Sequence, residues 1–167
     1  MKNWYIIDIA PYKSAPVNPP SATPVLTPSH LWTGLQRKIR HAEEFVPVIT
    51  KCDVVSEKEN EIERVVAFGE GKGPKGEVRE VCRLYAPTKI DFHQDDGSLI
   101  SNIVSEGPSG KPEDLMMTYC FEWRRPDVQE GSADVEKVME QYKKTAKMAV
   151  HESIDTIRRF VEGGEIK

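Results

Sequence analysis

A small set of residues in this chain combines reactive side chains with a spacing that can bring them into one enclosure. Glu80, Glu106 and His41 can carry protons, Arg64, Asn102 and Tyr119 can hydrogen-bond a ligand, and Phe121 and Trp123 can wall it in. A carboxyl group removed from water holds its proton more tightly, and histidine titrates near neutrality, so the first three suit general acid–base work. Arg64 or Tyr119 can stabilise an enolate or carbonyl oxygen. Such a set supports cyclisation, isomerisation or another proton transfer in a hydrophobic molecule; it can equally hold that molecule without making or breaking bonds.

Strand alternation decides which of these side chains share a face. Arg64 alternates with Ile62, Val66 and Phe68, and Glu80 with Val78, Cys82 and Leu84. A hairpin closing across the loop at 69–76 sets Arg64 opposite Glu80 or one pair away. One buried charge alone costs several kcal/mol, so the two are expected to pair if both point inward, either as a strut or as part of a pocket lining. Tyr119, Phe121 and Trp123 share a face with Met117, and in a sheet wrapped round a helix such a face is core and pocket wall at once. Asn102 and Glu106 alternate with Ile100 and Val104, although a glutamate at a strand end is more often solvated.

Other chemistries find no support. The run Gly71-Lys72-Gly73-Pro74-Lys75-Gly76 fits the GxGxxG dinucleotide pattern, but that motif works by aiming a helix N-terminus at a pyrophosphate. Here a strand follows and Pro74 lacks a donor, so a hairpin tip is expected. His30, His41, His93 and His151 do not cluster, so no metal site is expected. Neither a serine elbow nor a redox-cofactor motif is present, and no cofactor is expected. Lys and Arg number 23 against 27 Asp and Glu, with the signs interspersed. The short basic run Arg37-Lys38-Ile39-Arg40 reads as a solvated helix face, which leaves no basic surface for nucleic acid.

The elements that would position these residues follow from periodicity. With 167 residues and 38% apolar content, the chain reads as one domain, 1–167. Residues 4–9 form a first strand, and five prolines between Pro11 and Pro24 argue for a loop without regular structure. Thr27-Pro28 starts a helix expected to reach about Glu44, with Leu26 stapled onto Leu31 and an apolar stripe through Leu31, Trp32, Leu35, Ile39 and Ala42. The period then changes to two over 48–56, 61–69, 77–85, 88–94, 99–106 and 115–124, and the short links between them imply an antiparallel meander. From a cap at Ser132 to a stop at Gly163-Gly164, apolar residues keep helical spacing for some thirty residues, with Arg158 and Arg159 complementing the C-terminal dipole. This long helix needs a sheet to cover it, and the small residues Ala146, Ala149 and Ser153 would leave space beneath it. The fold class is therefore α+β: a curved seven-stranded antiparallel sheet wrapped around a long C-terminal helix, with one shorter helix after strand 1. Cys52, Cys82 and Cys120 form no CxxC pair, and no long apolar run marks a membrane span or leader, so a cytoplasmic chain with reduced thiols is expected.

Three stretches carry a family resemblance: His41-Ala42-Glu43-Glu44-Phe45-Val46-Pro47, Arg79-Glu80-Val81-Cys82-Arg83-Leu84-Tyr85, and Asp114-Leu115-Met116-Met117-Thr118-Tyr119-Cys120-Phe121-Glu122-Trp123. Together with the run from Asp96 to Pro108, they resemble the AtaL-like family, the acetylaranotin-cluster protein L type, within the START, birch-pollen-allergen and polyketide-cyclase superfamily. The resemblance implies a helix-grip fold with an internal cavity. It also implies a setting in secondary-metabolite biosynthesis. It supplies no catalytic motif. Where the superfamily often has two short helices after the first strand, this chain has room for one.

The expectation is thus a chain that binds a small hydrophobic molecule in an internal cavity. It would act as a cofactor-independent cyclase- or isomerase-type enzyme or, alternatively, as a carrier. No nucleic-acid or membrane partner is expected, and the sequence does not fix the oligomeric state.

Overall fold

Alternating apolar and polar residues turn one face of each strand inward, and in the computed structural model, which describes residues 7–71, 76–125, 128 and 133–167, this alternation produces one antiparallel sheet. Its strands are β1 (Ile7–Ile9), β2 (Tyr12–Pro16), β3 (Ile49–Lys58), β4 (Glu61–Phe68), β5 (Glu77–Tyr85), β6 (Lys89–Gln94), β7 (Leu99–Glu106) and β8 (Leu115–Arg125). Helix α1 (Pro28–Arg40) follows the N-terminal strands, and α2 (Ala133–Glu162) closes the fold. Consecutive strands from β3 to β8 pair as hairpins, and the sheet order is β1, β8, β7, β6, β5, β4, β3. Part of the glycine-rich hairpin tip, residues 72–75, lies outside the described residues, as do the expected cap Ser132 and the start of the first expected strand.

The proline-rich segment departs from expectation. Instead of a loop without regular structure, Tyr12–Pro16 pairs with β8, and it continues the register that β1 begins. The two segments therefore form one edge strand interrupted at Ala10 and Pro11, where Phe121 N still donates to Pro11 O at 3.0 Å. Prolines are tolerated here because an edge strand leaves one row of N–H groups outside the ladder. Counted this way the sheet has the expected seven strand positions.

Thr27 caps α1 as expected. Its hydroxyl accepts from His30 N and its own N–H donates to His30 Nδ1, both at 3.2 Å, while Leu26 and Leu31 are fully buried. The helix ends at Arg40, short of Glu44; His41 leaves helical geometry and a 3-10 turn follows over Ala42–Glu44. Gly34 faces α2 so closely that an added Cβ would stand 2.4 Å from Ile157 Cγ1. Arg158, expected to answer the dipole of α2, instead donates to the carbonyls of Val17 and Pro24, tying the proline segment to α2. The core joins Leu31, Leu35 and Ile39 of α1 to Ala146, Val150, Ile154 and Ile157 of α2 and to the inner faces of β4–β8. All three cysteines are free, and Cys82 is buried. Among the described residues no helix is long and apolar enough to cross a membrane.

Candidate functional site

Four side chains from four elements converge between the helices and the sheet. Lys38 on α1 is 6% exposed, and its Nζ lies 3.1 Å from Asn102 Oδ1 on β7, 3.0 Å from Tyr119 OH on β8 and 3.5 Å from Ser153 Oγ on α2. Each element delivers its residue for a local reason. Lys38 is seven residues after Leu31 and three after Leu35, so helical geometry carries it on the buried stripe. Asn102 and Tyr119 are direct partners across β7 and β8 and point inward with the alternation. Ser153 is one of the small residues on the buried face of α2, and the space expected beneath it is occupied by the lysine amine.

The electrostatics of this group are unusual. Burial pulls the Lys38 amine down to about 7, and the nearby Arg64 guanidinium adds to the shift, while Glu80 and Cys82 oppose it. Burial likewise pushes the Cys82 thiol up to about 12, with Arg64 working the other way. The Tyr119 phenol is raised by burial, against the hydrogen bond with Ser153. Lys38 Nζ also lies 4.3 Å from the centroid of the Tyr119 ring. Asn102 is fully buried, and an amine donating to its oxygen fixes the amide orientation, which leaves Nδ2 without a partner. The only other such atom among the described residues is Nε2 of His93, on a strand face that alternation turns away from Phe92 and the core.

Arg64 and Glu80 are direct register partners, both buried, and Arg64 Nε and Nη2 approach Glu80 Oε2 at 2.7 and 2.6 Å. The remaining Glu80 oxygen accepts from Gln94 Nε2 at 2.8 Å, and Arg64 Nη1 donates to the carbonyls of Lys38 and Ile39 at 2.8 and 3.0 Å. The pair thus caps the last turn of α1 and anchors it to the sheet. Of the two readings open at the sequence level the geometry is that of the strut: these groups hold Lys38 in place rather than turning free donors or oxygens inward.

The aromatic row continues from this cluster along β8. Tyr119 meets Phe121 edge to face at 6.3 Å, Phe121 stacks on Trp123 at 4.7 Å, and Trp123 lies 3.9 Å from Tyr142 of α2. Beside it a groove of about 820 Å³ opens between β2 and α2, bordered by Ala10, Lys13, Met139, Lys143 and Lys147. Lys13 is the register partner of Tyr119, so the groove runs alongside the strand that carries the buried phenol.

Two expected proton carriers lie elsewhere. Glu106 is exposed, because β7 runs out of the core just after Val104. His41 has a 55% exposed side chain at the end of α1, with Glu43 at 3.8 Å. Lys38, which takes their place at the centre, is buried although its basic neighbours suggest a solvated face. Arg37 and Arg40 do reach outward, to Glu44 and Glu165 and to Glu57 respectively.

The sequence matches the family described as AtaL, acetylaranotin biosynthesis cluster protein L, over residues 13–164. It is 27% identical over 154 residues to the acetylaranotin biosynthesis cluster protein L of Aspergillus terreus, covering 90% of this chain and 89% of that protein. Among solved structures, the di-domain ARO/CYC StfQ from the steffimycin biosynthetic pathway superposes with a TM-score of 0.68 at 12% identity, covering 95% of this chain and 52% of StfQ, so this chain spans about half of that protein. Norcoclaurine synthase from Thalictrum flavum, in complex with dopamine and hydroxybenzaldehyde, gives 0.65 at 15% identity, covering 97% and 91%. The Zhui aromatase/cyclase from Streptomyces sp. R1128 gives 0.62 at 12%, covering 94% and 96%. At these identities the likeness establishes the helix-grip fold.

Proposed function

We propose, for a chain that belongs to the acetylaranotin biosynthesis cluster protein L family, that it binds a small hydrophobic molecule between helix and sheet and catalyses a cofactor-independent proton-transfer step, of cyclase or isomerase type, in secondary-metabolite biosynthesis. The observation that carries this reading is the buried Lys38–Asn102–Tyr119–Ser153 group with an unpartnered amide nitrogen at its centre. A fully buried N–H without an acceptor destabilises a fold by about 1–3 kcal/mol, and a ligand oxygen would satisfy it. Asn102 Nδ2 and the Tyr119 hydroxyl supply donors for a carbonyl or enolate oxygen. The Lys38 amine, brought close to neutrality, accepts a proton from the adjacent carbon, and Phe121 and Trp123 flank the apolar body. Glu80 and Arg64 act through Lys38 by holding its helix. Being named for biosynthesis and cyclisation, the relatives support the reaction class, and a synthase of the same fold in complex with dopamine and hydroxybenzaldehyde supports a small-molecule ligand.

The test begins with native mass spectrometry of protein purified from its own host, followed by extraction and identification of any released molecule. A copurifying apolar compound that the protein converts on incubation, with Lys38→Met and Tyr119→Phe each slowing conversion at least tenfold, is the expected result. Binding without conversion would replace the enzyme by a carrier. An empty protein that also ignores an apolar fluorescent probe would overturn both.

A further inference from the structure

We propose that Lys38 is a covalent site: its amine condenses with an aldehyde or ketone drawn into the interior, so that the substrate class is carbonyl compounds held as an imine. This rests on the reading of the interior as a ligand site and goes beyond it, because proton transfer alone needs no bond to the protein.

Lys38 is the only buried lysine among the described residues, and no carboxylate stands within ion-pair distance of it there. A permanently charged amine in that position would be a net burden on the fold, and a purely apolar side chain would pack as well. An amine that is neutral for much of the time carries no such penalty and gains reactivity. Lysine becomes nucleophilic when it is desolvated or placed near another cation; this amine is buried, and the Arg64 guanidinium, which donates to the backbone carbonyl of Lys38, works in the same direction against the opposing Glu80. At neutral pH the neutral fraction of such an amine exceeds that of an ordinary lysine by about a thousandfold.

The surrounding atoms suit each stage of the condensation. Asn102 Nδ2 donates to the carbonyl oxygen while the Lys38 nitrogen lone pair attacks the carbonyl carbon. The C–N bond forms, the C=O π pair moves to oxygen, and one amine proton passes to that oxygen to give a carbinolamine. Tyr119 OH, 3.0 Å from Nζ, donates the proton with which the hydroxyl leaves as water, and it recovers the second nitrogen proton as the C=N bond forms. The products are one imine and one water, with no change in oxidation state. Hydrolysis reverses the sequence and frees the enzyme. A protonated imine withdraws electrons from the neighbouring carbon, which is the activation a carbon–carbon ring closure requires.

The test is reductive trapping on the full chain. Benzaldehyde and acetophenone are each incubated with the protein and sodium cyanoborohydride at neutral pH, and adducts are located by peptide mass mapping. The expected result is an adduct on Lys38 at least tenfold more abundant than on exposed lysines such as Lys143 and Lys147, with a trapping rate that is half-maximal near pH 7. Lys38→Arg should lose that adduct alone, and Tyr119→Phe should retain the site but slow trapping. Adducts confined to exposed lysines, with a rate still climbing towards pH 10, would overturn the proposal. If an apolar fluorescent probe binds and Lys38 remains unmodified, the covalent step falls while the ligand site stands. Failure of both measurements would remove the ligand site as well.

Discussion

The two halves of α2 meet the same sheet on different terms. Between residues 146 and 157 the helix buries Ala146, Val150, Ser153, Ile154, Thr156 and Ile157 almost completely, against α1 on one side and the strands on the other. Before residue 146 its apolar stripe, Val135, Val138, Met139 and Tyr142, is only half-buried, and a groove separates it from β2. The tightly packed half holds the Ser153 hydroxyl 3.5 Å from Lys38 Nζ, and the other half presents Tyr142 to Trp123 and Met139 to the groove. On the function proposed above, chemistry that needs a defined amine and hydroxyl would use the tightly packed half, and a ligand would enter beside the grooved one.

Breaking the tightly held half should have the largest effect. Glu80→Ala leaves Arg64 buried without its partner and is expected to destabilise the fold by about 3–5 kcal/mol in urea unfolding, whereas Arg64→Met with Glu80→Met together should cost much less. Next comes Gly34→Ala, whose new methyl meets Ile157; about 1–3 kcal/mol of destabilisation is expected, and Ile157→Val in the same chain should recover part of it. Of comparable size per pH unit, but specific to the site, is the pH dependence of stability. The Lys38 amine moves from an ordinary 10.5 to about 7 on folding, so between these values the unfolded chain binds more protons and stability rises with pH. Wild type should therefore gain on Lys38→Met across this window, by up to about 1.4 kcal/mol per pH unit, and the subtraction cancels the titration of groups remote from Lys38. Equal pH profiles would mean that the amine is not desolvated. The smallest effects are expected at His41→Ala and Glu106→Gln, both exposed: less than about 0.5 kcal/mol each, and unchanged turnover of any substrate found.

Much of the architecture was readable because it depends on local rules. Alternation located every strand of the meander, and counting residues around the hairpin at 69–76 placed Arg64 opposite Glu80 or one pair away, the first of which the register shows. The same alternation turned Asn102 and Tyr119 inward. What escaped were residues whose type argues against their position. Lys38 falls on the helical stripe that Leu31 and Leu35 define, but a lysine next to two arginines suggests water, and only the pairing of β7 with β8 reveals the acceptors that let it be buried. The segment Tyr12–Pro16 has a proline at its end and another just before it, and its strand character is supplied by a partner more than a hundred residues away. Glu106 obeys the alternation, but the core ends before the strand does.

That distant pairing sets an order on assembly. During synthesis the hairpins from β3 to β7 can close as soon as each pair emerges, since their partners are neighbours in the chain. The N-terminal edge strand and α1 have no such neighbour: β2 waits for β8, and the amine on α1 waits for Asn102, Tyr119 and finally Ser153 on the last helix. Until α2 arrives, Lys38 lacks the contact that Ser153 supplies. On the proposed chemistry, the reactivity of Lys38 would be conferred by the final step of folding, and a nascent or nicked chain lacking α2 would carry the other site residues of the sheet without a fully enclosed amine.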